Sequence, residues 1–180
     1  MEISVRLGGV PLLLSCAHNE YMLTYMPFSC CDMPLASVGV SAAEVERLLP
    51  LYEEGSTAPY VEHMELCTRA CDALLPFERA IFHGVAFIWR GQAWLLTALS
   101  GTGKTTHYIQ WKRQYGSEIS IINGDKPVLD FSEEGISVHP SPWRGNENCL
   151  WRECQARIRH GVQKGAHDPH GNSVHAARNT

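Results

Sequence analysis

Apolar positions along the chain change period several times, and each change marks an element. In "ISVRLGGVPLLLS" they alternate on either side of Gly8-Gly9, which predicts two short strands joined as a hairpin. Residues 19–40 carry no steady period and are interrupted by Pro27, Pro34 and the adjacent Cys30 and Cys31, so they read as irregular. "SAAEVERLLPLYEEG" then takes up helical spacing. Ser41 is placed as N-cap and Glu44 completes a capping box, while Pro50 ends or kinks the helix and Gly55 closes the segment. In "APYVEHMELCTRACDALLP" the residues Val61, Met64, Cys67, Cys71 and Leu74/Leu75 recur at helical spacing, predicting a second amphipathic helix that stops before Pro76.

Beyond this the texture becomes strand-like. "AIFHGVAFIWRGQAWLLTAL" holds two apolar runs parted by Arg90-Gly91-Gln92, the pattern of a strand, a tight turn and a strand. A glycine loop follows, then "KTTHYIQWKRQYG" as a helix stopped at Gly116. "ISIING" is a short strand running into Asp125, and "KPVLDFS" with "GISVHP" forms a further hairpin around Glu133-Glu134-Gly135. After "PSPWRGNENC" the pattern fails. Residues 151–180 hold almost no large apolar side chain past Ile158, so burial cannot offset the entropy of ordering them. The expected organisation is one domain, with a small α/β lobe over 1–77 belonging to the same domain as a core over 78–150, and a disordered or abnormal tail over 151–180. The expected class is α/β in the α+β sense, with a mixed, largely antiparallel sheet and flanking helices.

With 180 residues, 44% of them hydrophobic, the chain can build a real core. A net charge of −4 argues against nucleic acid as the main partner. The charge is uneven: residues 151–180 carry five Lys/Arg against two Asp/Glu, leaving the first 150 residues at −7. Seven cysteines include no paired C-x-x-C, which suits free thiols in a reducing compartment. "VPLLLSC" imitates a lipoprotein signal loosely, but Glu2 precedes it and the apolar run is short, so a strand is the better reading. No stretch has the length of a membrane span. A cytoplasmic protein that engages neither membrane nor nucleic acid is expected, with a homo-oligomer left open.

The chemistry concentrates in "LLTALSGTGKTTHY". A strand leading into Ser100-Gly101-Thr102-Gly103-Lys104-Thr105-Thr106 and then a helix is the context of a P-loop. Glycines let backbone N–H groups approach phosphate oxygens, Lys104 brings a fixed charge, and Thr105 offers a hydroxyl to Mg²⁺. The strict pattern places glycine where Ala98 stands, and a glycine turn that binds nothing is the plainer alternative. Such a loop needs a carboxylate near the metal, and Asp125, at the end of the next strand, supplies one. Asn123-Gly124-Asp125 also reads as a simple turn. His83 sits in an apolar run read as a strand, where a histidine is more often a core residue than a functional one.

Together, the histidine, the hairpin turn, "ALSGTGKTTH", the strand ending in Asp and "HPSPWRG" resemble the C-terminal kinase domain of HPr kinase/phosphorylase over roughly residues 78–150. The segment is also similar to the nucleotide-binding half of ATP-dependent phosphoenolpyruvate carboxykinase, which has the same atypical P-loop. The resemblance implies that Gly101 to Thr106 hold the phosphates of ATP and that Thr105 with Asp125 holds Mg²⁺. It also places His83 beside the γ-phosphate or metal, and lets Asp125 take the acceptor's proton. The acceptor would be a serine hydroxyl on a protein, a peptide or a small molecule. Two departures stand out. Gly124 occupies the place of a second acid, and the chain after the Pro-Trp segment lacks the family's further core, leaving Arg144 and Glu147 as the nearby candidates. A degenerate or truncated kinase that only binds ATP, and a carboxykinase-like phosphotransfer, are the alternatives.

Overall fold

Alternating burial builds two compact units, Met1–Phe77 and Glu78–Thr180, in a computed structural model of α+β class. It describes residues 1–132 and 135–145, together with the backbone of 162–163 and 173–177.

In the first unit β1 (Glu2–Leu7) and β2 (Val10–Ser15) form the expected antiparallel hairpin, closed by Leu7 opposite Val10. Gly8 and Gly9 both take positive φ, the geometry of a two-residue primed turn. On β2, Val10, Leu12 and Leu14 are buried while the residues between them are half-buried. Within residues 19–40 the structure adds three elements that the sequence pattern did not reveal: α1 (Met22–Tyr25), a 3₁₀ turn at Met26–Phe28, and β3 (Ala36–Gly39), which pairs parallel to β2. Four residues with a single buried side chain, Val38, carry too little period to announce a strand.

Helix α2 (Ala42–Leu48) begins with the capping box read from the sequence. Ser41 Oγ accepts from the Glu44 N–H at 3.3 Å and the Glu44 carboxylate accepts from the Ser41 N–H at 3.0 Å. That backbone bond, with Arg69 and the Ser41 hydroxyl, draws the Glu44 carboxyl down to about 2. The helix gives way to a 3₁₀ turn at Leu49–Leu51, which contains Pro50.

Helix α3 (Ala58–Leu74) is the expected amphipathic helix, but its buried stripe is rotated from the one predicted. Met64 and Cys71 are half-buried and Leu75 is exposed, whereas Glu62 and His63 are buried. The cause is tertiary. The Glu62 carboxylate accepts the backbone N–H groups of Ala17 and His18, and the His63 Nδ1 lies 2.7 Å from the Tyr25 hydroxyl. Burial beside the Glu62 carboxylate pushes the Cys16 thiol up to about 11, which keeps it protonated.

The second unit contains two sheets where the sequence suggested one. Strands β5 (Val85–Trp89), β6 (Gln92–Thr97) and β7 (Ile119–Asn123) lie in the order β6-β5-β7, and β4 (Arg79–Ile81), β8 (Val128–Asp130) and β9 (Ser137–His139) form a separate antiparallel sheet. Alternation assigns the two faces of β5. Val85 and Phe87 pack with Leu96, Ile119 and Tyr108 of α4 (Lys104–Tyr115), while Ala86 packs with Ala93, Ile122, Leu129 and Val138. The larger sheet is thus covered by α4 on one face and by the smaller sheet on the other. Phe87 lies under Tyr108 and Trp111, with ring centroids 5.6 and 5.5 Å away.

Two short strands, β10 (Val162–Gln163) and β11 (Ser173–Ala177), occur in the stretch expected to lack order, and β11 pairs antiparallel with β6. The expectation rested on missing apolar side chains. Pairing along the open edge of β6 works through backbone groups and does not need them. The rest of 151–180 lies outside the described residues.

Gly84 has a measurable part in this arrangement. A Cβ there would stand 2.7 Å from the Leu96 carbonyl oxygen of β6. Gly84→Ala is expected to force the strands apart at a cost of about 1–3 kcal/mol. The urea midpoint of unfolding should fall accordingly, and an unchanged midpoint would refute so close an approach.

Candidate functional site

Strand order decides what meets at the end of the larger sheet. Because β5 runs antiparallel to both neighbours, the C-terminal ends of β6 and β7 and the N-terminal end of β5 share one edge. The glycine loop leaves β6 there, Asp125 follows β7 there, and His83 precedes β5 there. β6 and β7 are two strand spacings apart, about 10 Å. Gly84 bridges the gap: its N–H donates to the Asp125 carbonyl at 2.7 Å, while on the β6 side a Cβ at this position would run into the Leu96 carbonyl oxygen.

The loop itself is built from backbone. Gly101 and Gly103 have φ of +77° and +93°, and Gly103 serves as N-cap of α4 in the left-handed region without any side-chain cap. The first bond inside the helix runs from the His107 N–H to the Gly103 carbonyl at 2.8 Å. The N–H groups of Lys104, Thr105 and Thr106 therefore precede the helical ladder and point out of its positive end. Thr102 steadies the loop, its hydroxyl donating to the Leu99 carbonyl at 2.7 Å. Lys104 Nζ donates to the carbonyls of Ala98 at 2.9 Å and Leu99 at 3.2 Å, which folds the ammonium back across the loop. Among the described residues, only Glu78 and Arg90 outside the glycines have positive φ, so alanine at position 98 introduces no backbone strain. Ser100, Thr105 and Thr106 are exposed.

At the other side of the edge, the Asp125 carboxylate is shared. His83 Nε2 lies 3.2 Å from Oδ1, and Lys126 Nζ donates to Oδ2 at 2.7 Å. His83 is in a bend between β4 and β5 and not inside the strand, and its side chain is 47% exposed, which removes the reading of a core histidine. Asp125 itself is 29% exposed. Sequence reasoning did not single out Lys126, whose only signal was its place next to the acid. Nor did it find the link from Asn123 to Ser141: Asn123 Nδ2 donates to the Ser141 carbonyl at 3.1 Å and to its hydroxyl oxygen at 3.2 Å. That link brings the Pro-Trp-Arg-Gly stretch to Asp125, where a Cβ on Gly145 would come within 3.3 Å of the Asp125 Cβ. Arg144 follows Trp143 in this stretch, and Glu147 lies outside the described residues.

The donor set suits a polyphosphate, with unpaired helix N–H groups, a lysine, and glycines around which nothing but the Thr106 Cβ comes within 4 Å of an added Cβ. Among the described residues no three His, Cys, Asp or Glu gather as a metal cage. Magnesium held with a nucleotide takes one or two protein oxygens, and Thr105 and Asp125 are hard oxygen donors of that kind. No helix of the described residues is long and apolar enough to cross a membrane.

Compared with known proteins, the chain matches no family model, no curated protein and no solved structure.

Proposed function

We propose that the protein is a Mg²⁺-dependent kinase that transfers the γ-phosphoryl group of ATP to a serine hydroxyl on a protein, peptide or small molecule. The observation that carries this reading is the meeting, at one end of the larger sheet, of a glycine loop opening onto α4 with an Asp–His pair from the bends just after β7 and just before β5. Backbone N–H groups from Gly101 to Thr106 and the Lys104 ammonium bind and orient the phosphates. Thr105 and Asp125 would hold the metal, which would supply positive charge to offset that of the phosphates. The acceptor oxygen bonds to the γ-phosphorus as the bridging bond to ADP breaks. Asp125 accepts the hydroxyl proton, and His83 fixes the direction of its Oδ1.

The resemblance to HPr kinase/phosphorylase and the cytoplasmic setting belong to the same proposal. A nucleotide-binding module without turnover is the second reading. It is favoured by glycine at position 124 and by the Lys126 ammonium already seated on Asp125 Oδ2. Incubation with γ-labelled ATP, Mg²⁺ and serine-bearing acceptors separates the two. The kinase reading expects acid-stable, alkali-labile label on serine with stoichiometric ADP, and ATP binding without label or ADP would leave the module.

A further inference from the structure

We infer that Asn123, together with Ser141, is a positioning residue that sets the Asp125 carboxylate at the phosphate end of the sheet. This rests on the proposed role of Asp125 as metal ligand and proton acceptor, and deepens it. Asn123 is 1% exposed and Ser141 is fully buried. Every polar atom of the Asn123 amide is engaged. Oδ1 accepts the N–H groups of Asp125 at 2.9 Å and Lys126 at 2.8 Å, while Nδ2 donates to the carbonyl and hydroxyl oxygens of Ser141. Two donors face Oδ1 and two acceptors face Nδ2, so one orientation of the amide satisfies all four contacts. An aspartate could not donate to Ser141, and a serine or alanine could not span both sides.

Ser141 completes the clamp. Its hydroxyl donates to the Lys126 carbonyl and accepts the Trp143 N–H at 3.2 Å. Both the N–H and the C=O of Lys126 are thereby tied, and the turn carrying Asp125 is held to the segment after β9. A register shift helps to aim it: Phe87 pairs with Ile121 but Ala86 pairs with Asn123, so β7 carries one extra residue just before the clamp. A surface Asn-Gly-Asp turn needs none of this. Burying a polar side chain with four satisfied contacts fixes a backbone in one place, and the group it fixes is Asp125.

The test uses the full chain with Asn123→Ala and Ser141→Ala. Mn²⁺ affinity of the ATP complex is read by electron paramagnetic resonance, and ATP affinity is read separately without metal. Partners that orient a metal ligand typically contribute about 10- to 100-fold in metal affinity or activity. Asn123→Ala should weaken Mn²⁺ binding by that range and Ser141→Ala by less. Metal-free ATP affinity should stay at the wild-type value, and kcat should fall without a matching rise in KM for ATP. Wild-type Mn²⁺ affinity in a folded Ser141→Ala protein would overturn the inference, as would an equal loss of metal-free ATP binding. If Asn123→Ala does not fold, Ser141→Ala decides alone. Wild type that binds Mn·ATP tightly yet transfers nothing refutes the kinase step, while the Mn²⁺ comparison still judges the clamp.

Discussion

Asp125→Asn is expected to abolish phosphoryl transfer while leaving the protein folded and able to bind ATP. The substitution keeps the shape of the side chain and removes the charge on which both proposed tasks depend. An amide cannot accept the acceptor's proton, and it is a much poorer ligand for Mg²⁺ than a carboxylate. Loss of a positioned general base alone costs about 10²- to 10⁴-fold in rate. ATP binding should survive at least in part, because the loop N–H groups and Lys104 belong to β6 and α4 and not to the turn after β7. The Asp125 backbone contacts with Gly84 and Asn123 are also retained. Steady-state transfer rates with matched ATP titrations measure this directly. Transfer at the wild-type rate would remove Asp125 from the chemistry and turn attention to His83.

What the sequence revealed of this site follows from which interactions are local. The glycine loop, its lysine and its helix are contiguous, and the hairpin turn at Arg90-Gly91, with φ of 51° and 75°, announces itself by residue type. The capping box at Ser41 and Glu44 is legible for the same reason. The meeting of His83 with Asp125 is different in kind. It depends on β5 lying between β6 and β7, and no periodicity within either strand encodes that order. The apolar run around His83 therefore suggested a strand position, whereas a bend at the sheet edge places the ring against Asp125.

Other features escaped because their cause is a distant partner. Buried Glu62 and His63 break the apolar stripe of α3 only because Ala17, His18 and Tyr25 wait for them. Asn123 reads as a turn former until Ser141, eighteen positions on, is brought beside it. Strand β3 is too short to carry a period and is held by β2. The side-chain composition of 151–180 does not announce β11, because that strand is recruited through the backbone edge of β6.

Lys104→Ala is expected to weaken ATP binding strongly if residues 100–106 cradle its phosphates. In the structure the Lys104 ammonium spans the loop to two carbonyl oxygens, so it is already held where an anion entering the loop would meet it. Alanine retains the helix, since it is a better helix former than lysine, and leaves the glycine geometry unchanged. What is lost is a charge-assisted contact worth about 2–3 kcal/mol, which lowers affinity ~30- to 150-fold. Calorimetric titration of Mg·ATP into wild type and Lys104→Ala, with folding of both verified by circular dichroism, measures that difference. Saturable one-site binding to wild type is expected, with the Kd for Lys104→Ala raised by that factor. Equal affinity in the two proteins, or no binding of ATP to wild type, would contradict that expectation.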